Sequence, residues 1–329
     1  MNDIAQQKLQ PLGADEARAL VARVADSRNR VLTELRKVVV GQEASVAERA
    51  ELAERLGLND PFPIQFFHFV RDMTRGEFGM SYRQGRPVKD LLMERVPATV
   101  ELALLSSLFS LVFGMALGVY AAINRRGVIA NVVMAVSLIG VSLPTFLIGI
   151  GLIYLFAVEL RWLPSFGRGE VTRLGWWTTG LFTETGRKSL IMPVLTLGFF
   201  QLTLIMRLVR AEMLEALRTD YVKFARARGI PERAISFRHA LRNTMIPVVT
   251  IVGLQFGSVI AFAIVTETVF QWPGLGALFI QAVQFVDIPV MAAYLMFVAL
   301  VFVVVNLAVD LLYFALDPRL RGTTAAPAR

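Results

Sequence analysis

The chain has 329 residues, 55% of them hydrophobic and 18% charged, with a mean hydropathy of +0.56, more apolar than the about 45–50% of an ordinary soluble domain. It has no cysteine and two well-separated histidines, His68 and His239, which excludes disulfides, thiolate metal sites, cysteine nucleophiles and a histidine-based zinc site. In so apolar a chain the formal net charge of +8 points to membrane orientation rather than to nucleic acid.

Residues 1–98 carry 15 Lys/Arg against 14 Asp/Glu, so the basic surplus lies further on. Residues 15–40 read as a charged helix that stays in water, and the first 50 residues contain neither the apolar core nor the small-residue cleavage site of a signal peptide. Five later runs, approximately 99–123, 132–158, 189–209, 246–267 and 290–316, supply the about 20 apolar helical residues needed to cross a hydrocarbon core. They lack the period-two alternation of a membrane barrel. The expected fold class is therefore an all-α polytopic membrane protein with about five transmembrane helices.

Within these runs the polar and proline positions are informative. Pro144, beside Ser142 and Thr145, is expected to break or kink its span and free backbone groups toward a water-filled path. Gln201 and Gln255 lie mid-span, Asn306 in the inner half of the last run and Asp310 near its end. Such groups turn toward a pathway or bond another helix, and for the amides both readings stand. Glu267 closes the 246–267 run and leads into an aromatic, glycine-rich turn through Phe270, Trp272, Pro273, Gly274 and Gly276. That turn is either a partly re-entrant external gate, a contact for a delivery protein, or an interfacial aromatic anchor.

The segment from Arg207 to Arg242 holds nine Lys/Arg against four acidic residues, which marks it as cytoplasmic under the positive-inside bias. The turn at 124–127 and the C-terminal tail are basic too, and fall on the same side by span count. Residues 1–98 and the connections near 159–188 and 268–289 are then external. The basic segment has helical periodicity, with Leu214, Leu217, Tyr221 and Phe224 on one stripe and Ala234, Phe237 and Leu241 on another. Gly229 stops the first helix and Pro231 starts the second. Two readings follow: a two-helix prong gripped by a cytoplasmic partner, or an amphipathic pair lying on anionic lipid.

At this loop the sequence resembles the inner-membrane permease subunits of ATP-binding-cassette importers, in the dipeptide, oligopeptide and nickel branch. The run Asp220-Tyr221-Val222-Lys223-Phe224-Ala225-Arg226-Ala227-Arg228-Gly229, continued by His239-Ala240-Leu241-Arg242-Asn243, looks like that branch's coupling motif. Ser142-Leu143-Pro144-Thr145-Phe146, Thr266-Glu267-Thr268-Val269-Phe270, Trp272-Pro273-Gly274-Leu275-Gly276 and Leu316-Asp317-Pro318-Arg319 match in order, as do Gly76-Glu77-Phe78-Gly79 and Arg95-Val96-Pro97-Ala98-Thr99. The resemblance reaches back to about Glu48. It implies a permease subunit with no catalytic residue and no cofactor, paired with a second homologous permease in the bilayer. Two cytoplasmic ATP-binding subunits would grip the prong, and an external solute-binding protein would deliver short peptides or a similar small solute or, less readily, nickel or its chelate. The family places a short scoop helix after Glu267. Its implied location is the bacterial inner membrane, multi-pass, with a cytoplasmic C-terminus.

Three departures accompany the resemblance. The motif's opening glutamate falls at Lys223, so a contact from that carboxylate does not carry over, whereas Ala225, Ala227 and the bend at Gly229 do. The family's first span is not found in residues 1–45. Instead Arg30–Gln42 weakly resembles the start of MoxR-type AAA ATPases, which suggests either a hybrid or mis-started frame or a natural variant. No phosphate-loop motif occurs in the chain, so nucleotide binding by this subunit is not expected. The expected organisation is an atypical charged N-terminus over 1–45, an external segment over 46–98, the permease domain over 99–321 and a disordered tail over 322–329. The residues proposed for coupling are Asp220, Tyr221, Lys223, Ala225, Arg226, Ala227, Gly229, His239 and Arg242; those for a path or gate are Ser142, Pro144, Gln201, Gln255 and Glu267. The rival reading is a membrane scaffold that does not transport, if lack of a first span prevents assembly. An ion-coupled transporter is disfavoured because no ionisable residue lies near mid-span.

Overall fold

The computed structural model describes residues 61–316. The expectations for residues 1–60, including the MoxR-like stretch, and for the basic tail lie outside these residues. The chain divides into two compact units between Arg75 and Gly76. Among the described residues the first unit contributes one helix, α1 (Phe62–Thr74), with Pro63 in its first turn, where the missing N–H costs no helical bond.

The second unit opens on a loop closed by the Met80–Pro87 bridge and then forms α2 (Val88–Ile123). Its 36 residues make a rod of about 54 Å, which exceeds a hydrocarbon core of about 30 Å. The helix starts before the apolar run at 99 because its first turns are amphipathic. Val88, Leu91 and Leu92 are buried against later helices, while Lys89, Asp90 and Glu94 face outward.

The second apolar run is two helices, α3 (Val128–Ser142) and α4 (Thr145–Leu152), the latter continuing as a π-helical stretch over Ile153–Glu159. They meet at 110°. Pro144 occupies the N-cap of α4; its missing donor cannot continue α3 but suits a helix start. A lid over residues 160–183 follows, carrying a hairpin of β1 (Thr172–Leu174) and β2 (Trp177–Thr179) with Arg173 opposite Thr178.

Next come α5 (Glu184–Ala216), α6 (Asp220–Ala227) and α7 (Glu232–Ala234), which passes through a π-helical turn at Ile235–Ala240 into α8 (Leu241–Val269). The chain then forms α9 (Leu275–Gln284) and α10 (Ile288–Leu316). Helices α2, α5, α8 and α10 each contain a stretch able to span a membrane, and the bent α3–α4 pair makes a fifth if counted as one.

The core is built on α2 against α5. Gly114 and Gly118, four residues apart, let the α5 backbone approach; a Cβ on Gly118 would stand 2.7 Å from the Met206 carbonyl oxygen. The Ser110 hydroxyl donates to the Gly198 carbonyl at 2.6 Å across the same seam. Small residues and hydroxyls replace the hydrophobic driving force that helices lose in lipid. Gly118→Leu is expected to cost at least about 1–3 kcal/mol by overpacking, because the opposing atom is backbone and cannot rotate away. Gly151→Ala, where nothing lies within 4 Å of the new Cβ, is the tolerated control; thermal melts of the purified protein compare them. A similar approach joins α8 to α10, where Gly253 faces Val309 and Gly257 faces Phe302. Burial falls from 67% of the most apolar stretch of α5 to 17% in α10, so α5 is central and α10 peripheral.

Candidate functional site

The basic segment forms a compact prong. After α5 the chain turns over Leu217–Thr219, where the Thr219 hydroxyl donates to the Ala216 carbonyl at 2.6 Å. This turn resets the helical phase, which corrects the expected apolar stripe. Val222 and Ala225 point inward onto Ile235, whereas Tyr221 and Phe224 are exposed. On the second arm Ile235, Ser236 and Ala240 are buried and Phe237 is exposed. The two expected helices also differ in kind: α6 is separate, but α7 is the first turn of the helical rod that becomes α8.

The bend between the arms is closed by backbone chemistry. Gly229 has φ +74°, a left-handed conformation that costs glycine nothing. Its N–H donates to the Arg226 carbonyl at 2.9 Å, and the Ile230 N–H donates to the Ala225 carbonyl at 3.2 Å. This is the Schellman pair, with Ile230 packing on the same small core. Arg226 bridges the bend with two hydrogen bonds to Glu232, 2.6 and 3.2 Å, and that guanidinium holds the Glu232 carboxyl below its ordinary range. Lys223 does the same for Asp220 at 2.8 Å, so both carboxylates are charged at neutral pH. The Asn243 amide donates to the Tyr221 hydroxyl at 2.9 Å, tying α6 to the start of α8. His239 is half-buried, whereas Ala227 and Arg242 are exposed. A cavity of about 580 Å³ beside the prong is lined by Ile123, Arg125, Arg218, Lys223, Arg226 and Ser236 among others. The basic 124–127 turn and the prong therefore share one end of the helices.

Midway along the helices a cleft of about 290 Å³ brings together Thr145 of α4, Gln201 of α5, and Gln255 and Ser258 of α8. Its remaining wall is apolar and includes Phe200 and Phe262, which is 70% exposed. Gln201 is buried; its amide oxygen accepts from the Ser107 hydroxyl at 3.3 Å, while its Nε2 has no partner. Ser142 and Pro144 are exposed outside this cleft. Their neighbour Thr145, placed by the helix break, reaches it.

At the opposite end from the prong, α2 fastens both the lid and the turn after α8. Glu267 is fully buried and accepts from the Thr99 hydroxyl at 2.5 Å and the Ala277 N–H at 3.0 Å. Thr99 in turn accepts from the Leu275 N–H at 2.8 Å, and the Trp272 indole donates to the Ala98 carbonyl at 3.0 Å. The lid is held by Glu101, which pairs with Arg168 at 2.5 Å and accepts from the Thr179 hydroxyl and the Gly180 N–H at 2.6 and 3.0 Å. Arg168 also donates to the Thr178 hydroxyl and carbonyl. The Gly167 N–H donates to the Phe270 carbonyl at 2.9 Å, joining lid to turn. Asp287, before α10, accepts from the Ser81 hydroxyl at 2.5 Å and the Tyr82 N–H at 3.2 Å, pinning the loop that precedes α2.

Residues 114–322 match the family described as the binding-protein-dependent transport system inner membrane component. The chain belongs to that family. This permease is 36% identical over 297 residues to the dipeptide transport system permease protein DppB of Alkalihalophilus pseudofirmus, a match covering 87% of the chain and 89% of that protein. It is 37% identical over 285 residues to the glutathione transport system permease protein GsiC of Escherichia coli K12, covering 87% and 88%. A chain of the inward-facing MetNI methionine ABC transporter shares the permease's fold, with a TM-score of 0.55 at 20% identity over 69% of this chain and 96% of that one.

In the permease, the sequence motifs containing Thr99 and Glu267 are joined by a direct hydrogen bond. Sequence reasoning quoted both motifs but did not join them, and it missed Glu101, Arg168 and Asp287. A single acid inside the run 99–123 and a single arginine in a loop carry no local signal. The available cue was cost, since a lone carboxylate in an apolar helix needs a counter-charge from somewhere.

Proposed function

We propose that this permease is the membrane subunit through which an ATP-driven importer passes short peptides. The observation that carries the reading is the prong, a rigid two-armed bend whose second arm is continuous with a spanning helix that lines the central cleft. The two relatives named above, permeases of dipeptide and glutathione systems, supply the cargo class. In this reading ATP-binding subunits meet the outward face of the prong, with Tyr221, Lys223, Phe224 and Ala227, alongside Arg242. Asp220, Arg226 and His239 brace the prong, and Ala225 and Gly229 set its shape. The prong end then faces the cytoplasm of a bacterial inner membrane, together with the C-terminus, and a solute-binding protein approaches the lid end.

The cleft supports pairing with a second, homologous permease. It is walled on one side only, with Phe262 exposed, and an apolar wall in a membrane needs either lipid or a protein partner. Its polar groups are amides and hydroxyls without formal charge. They suit a solute that offers peptide carbonyls and N–H groups, and the half-buried Gln255 amide in the wall is a donor for such a carbonyl. Glu267 acts in this reading as the buried pin of the outer turn, with Ser142 and Pro144 setting the helix break.

Reconstitution tests the proposal. Proteoliposomes holding this permease with a second permease, ATPases and binding protein are expected to accumulate labelled Ala-Ala only when ATP is supplied on the prong side. Gln255→Leu should slow accumulation about three- to tenfold, the worth of one hydrogen bond. Accumulation independent of ATP, or none at all, overturns the reading.

A further inference from the structure

A third cavity, of about 370 Å³, opens at the lid end, within the about 300–1,000 Å³ range of small-ligand sites. Its wall includes Arg95 of α2, Glu267 and Thr268 at the end of α8, Gln271 in the following turn, and Ala277 and Gln281 of α9. It is close to the central cleft: Val265, which lines the cleft, and Thr268, which lines this cavity, are three residues apart on one helix, a rise of about 4.5 Å.

Arg95 distinguishes this cavity. It is half-buried, yet among the described residues it forms neither an ion pair nor a hydrogen bond. The acids nearest to it are already committed. Glu94, its neighbour in sequence, pairs with Arg86 at 2.5 Å, and both oxygens of Glu267 accept from Thr99 and Ala277. Both carboxylates act on it through space, yet none of its five donors is spent on them, which leaves the planar fork open to a further anion. Gln271 follows the end of α8 as the left-handed residue of a Schellman turn, with φ +48° and the Trp272 N–H donating to the Glu267 carbonyl at 2.8 Å. Its N–H donates to the Thr268 carbonyl at 3.3 Å, which holds this residue on the cavity wall.

We propose that the outer cavity is a binding site for the terminal carboxylate of a short peptide, held by the Arg95 guanidinium with the amides of Gln271 and Gln281 beside it, before the solute enters the uncharged cleft. Guanidinium and carboxylate match as a planar, two-bond pair, whereas the cleft below has no charge with which to orient a zwitterion. Charge is thus read at the outer end, and the peptide backbone further in. This inference rests on the peptide-transport reading and names the part of the solute that the permease itself recognises.

The test uses the assembled transporter, without binding protein, in nanodiscs of phosphatidylcholine, so that no anionic headgroup competes. Saturation-transfer NMR follows the methyl signals of Ala-Ala and of its C-terminal amide. For the wild type the free acid should bind about tenfold more strongly than the amide, the worth of one charge-assisted bond. Arg95→Gln should remove that preference and Arg95→Lys should keep part of it. Equal binding of acid and amide to the wild type, an unchanged preference in R95Q, or no signal from either peptide overturns the site. If R95Q leaves the preference for the free acid intact and, in a separate pull-down with binding protein added, weakens only its capture, the cavity serves docking and the proposal is wrong. ATP-driven uptake by the same subunits in proteoliposomes, with binding protein added, reports separately on the transport reading.

Discussion

An A225W permease is expected to insert and fold but to lose ATP-driven uptake about ten- to a hundredfold, the rate equivalent of an overpacking cost of about 1–3 kcal/mol at the joint. Ala225 is 7% exposed and faces Val222 and Ile235, so an indole there pushes α6 off the second arm. Gly229→Val reaches the same end by another route. A β-branched side chain resists φ +74°, and the Schellman closure through Gly229 and Ile230 is lost. Retention of ATPase subunits on the tagged permease, read beside uptake, is the measurement. Both variants should purify with less ATPase, while Gly151→Ala, where the new Cβ meets nothing within 4 Å, should behave nearly as wild type. Full ATPase retention and uptake in A225W would mean that the prong is not where the chemical energy enters.

Arg168→Ala is expected to destabilise the folded permease by about 3–5 kcal/mol, the cost of leaving one partner of a buried pair uncompensated. Glu101 and Arg168 have side chains 4% and 7% exposed, so solvent does not screen the orphaned carboxylate. The diagnostic variant is the double change. Glu101→Gln in the R168A background removes the buried charge and keeps an acceptor for Thr179 and Gly180, so stability should recover in large part. Thermal melts in detergent, with limited proteolysis of the 160–183 lid, read both quantities. An R168A protein as stable as wild type, with an equally protected lid, contradicts a closed latch.

The spans were legible because lipid demands long apolar runs and this chain has little else beyond residue 98. Pro144 was legible as a break, and Gly229 as a bend, because each residue type has one dominant backbone consequence. Gln201 and Gln255 stood out as amides in hydrocarbon, and they do meet in one cleft. Other features were hidden for specific reasons. The start of α2 at Val88 is masked by Lys89, Asp90 and Glu94, whose outward placement needs the later helices to be visible. The phase of the prong was misread because Thr219 interrupts a stripe that looks continuous when one regular helix is assumed. Glu101 and Arg168 are 67 positions apart, and nothing local announces that they meet. The lid hairpin is only three residues per strand, too short for alternation to register.

The π-helical join between α7 and α8 has a mechanical consequence. From Glu232 to Val269 the chain is one rod without a loop, about 57 Å long at 1.5 Å per residue. Its lower tip is gripped through Arg226 and Glu232; its upper tip carries Glu267, pinned by Thr99. Between them, Gly253 and Gly257 seat the rod against Val309 and Phe302 of α10, which is the form of a fulcrum. In the proposed coupling role, a displacement of the foot would reach the head through this one rod, whose places to flex are the π-helical turn at Ile235–Ala240 and Pro247, the one proline within α8.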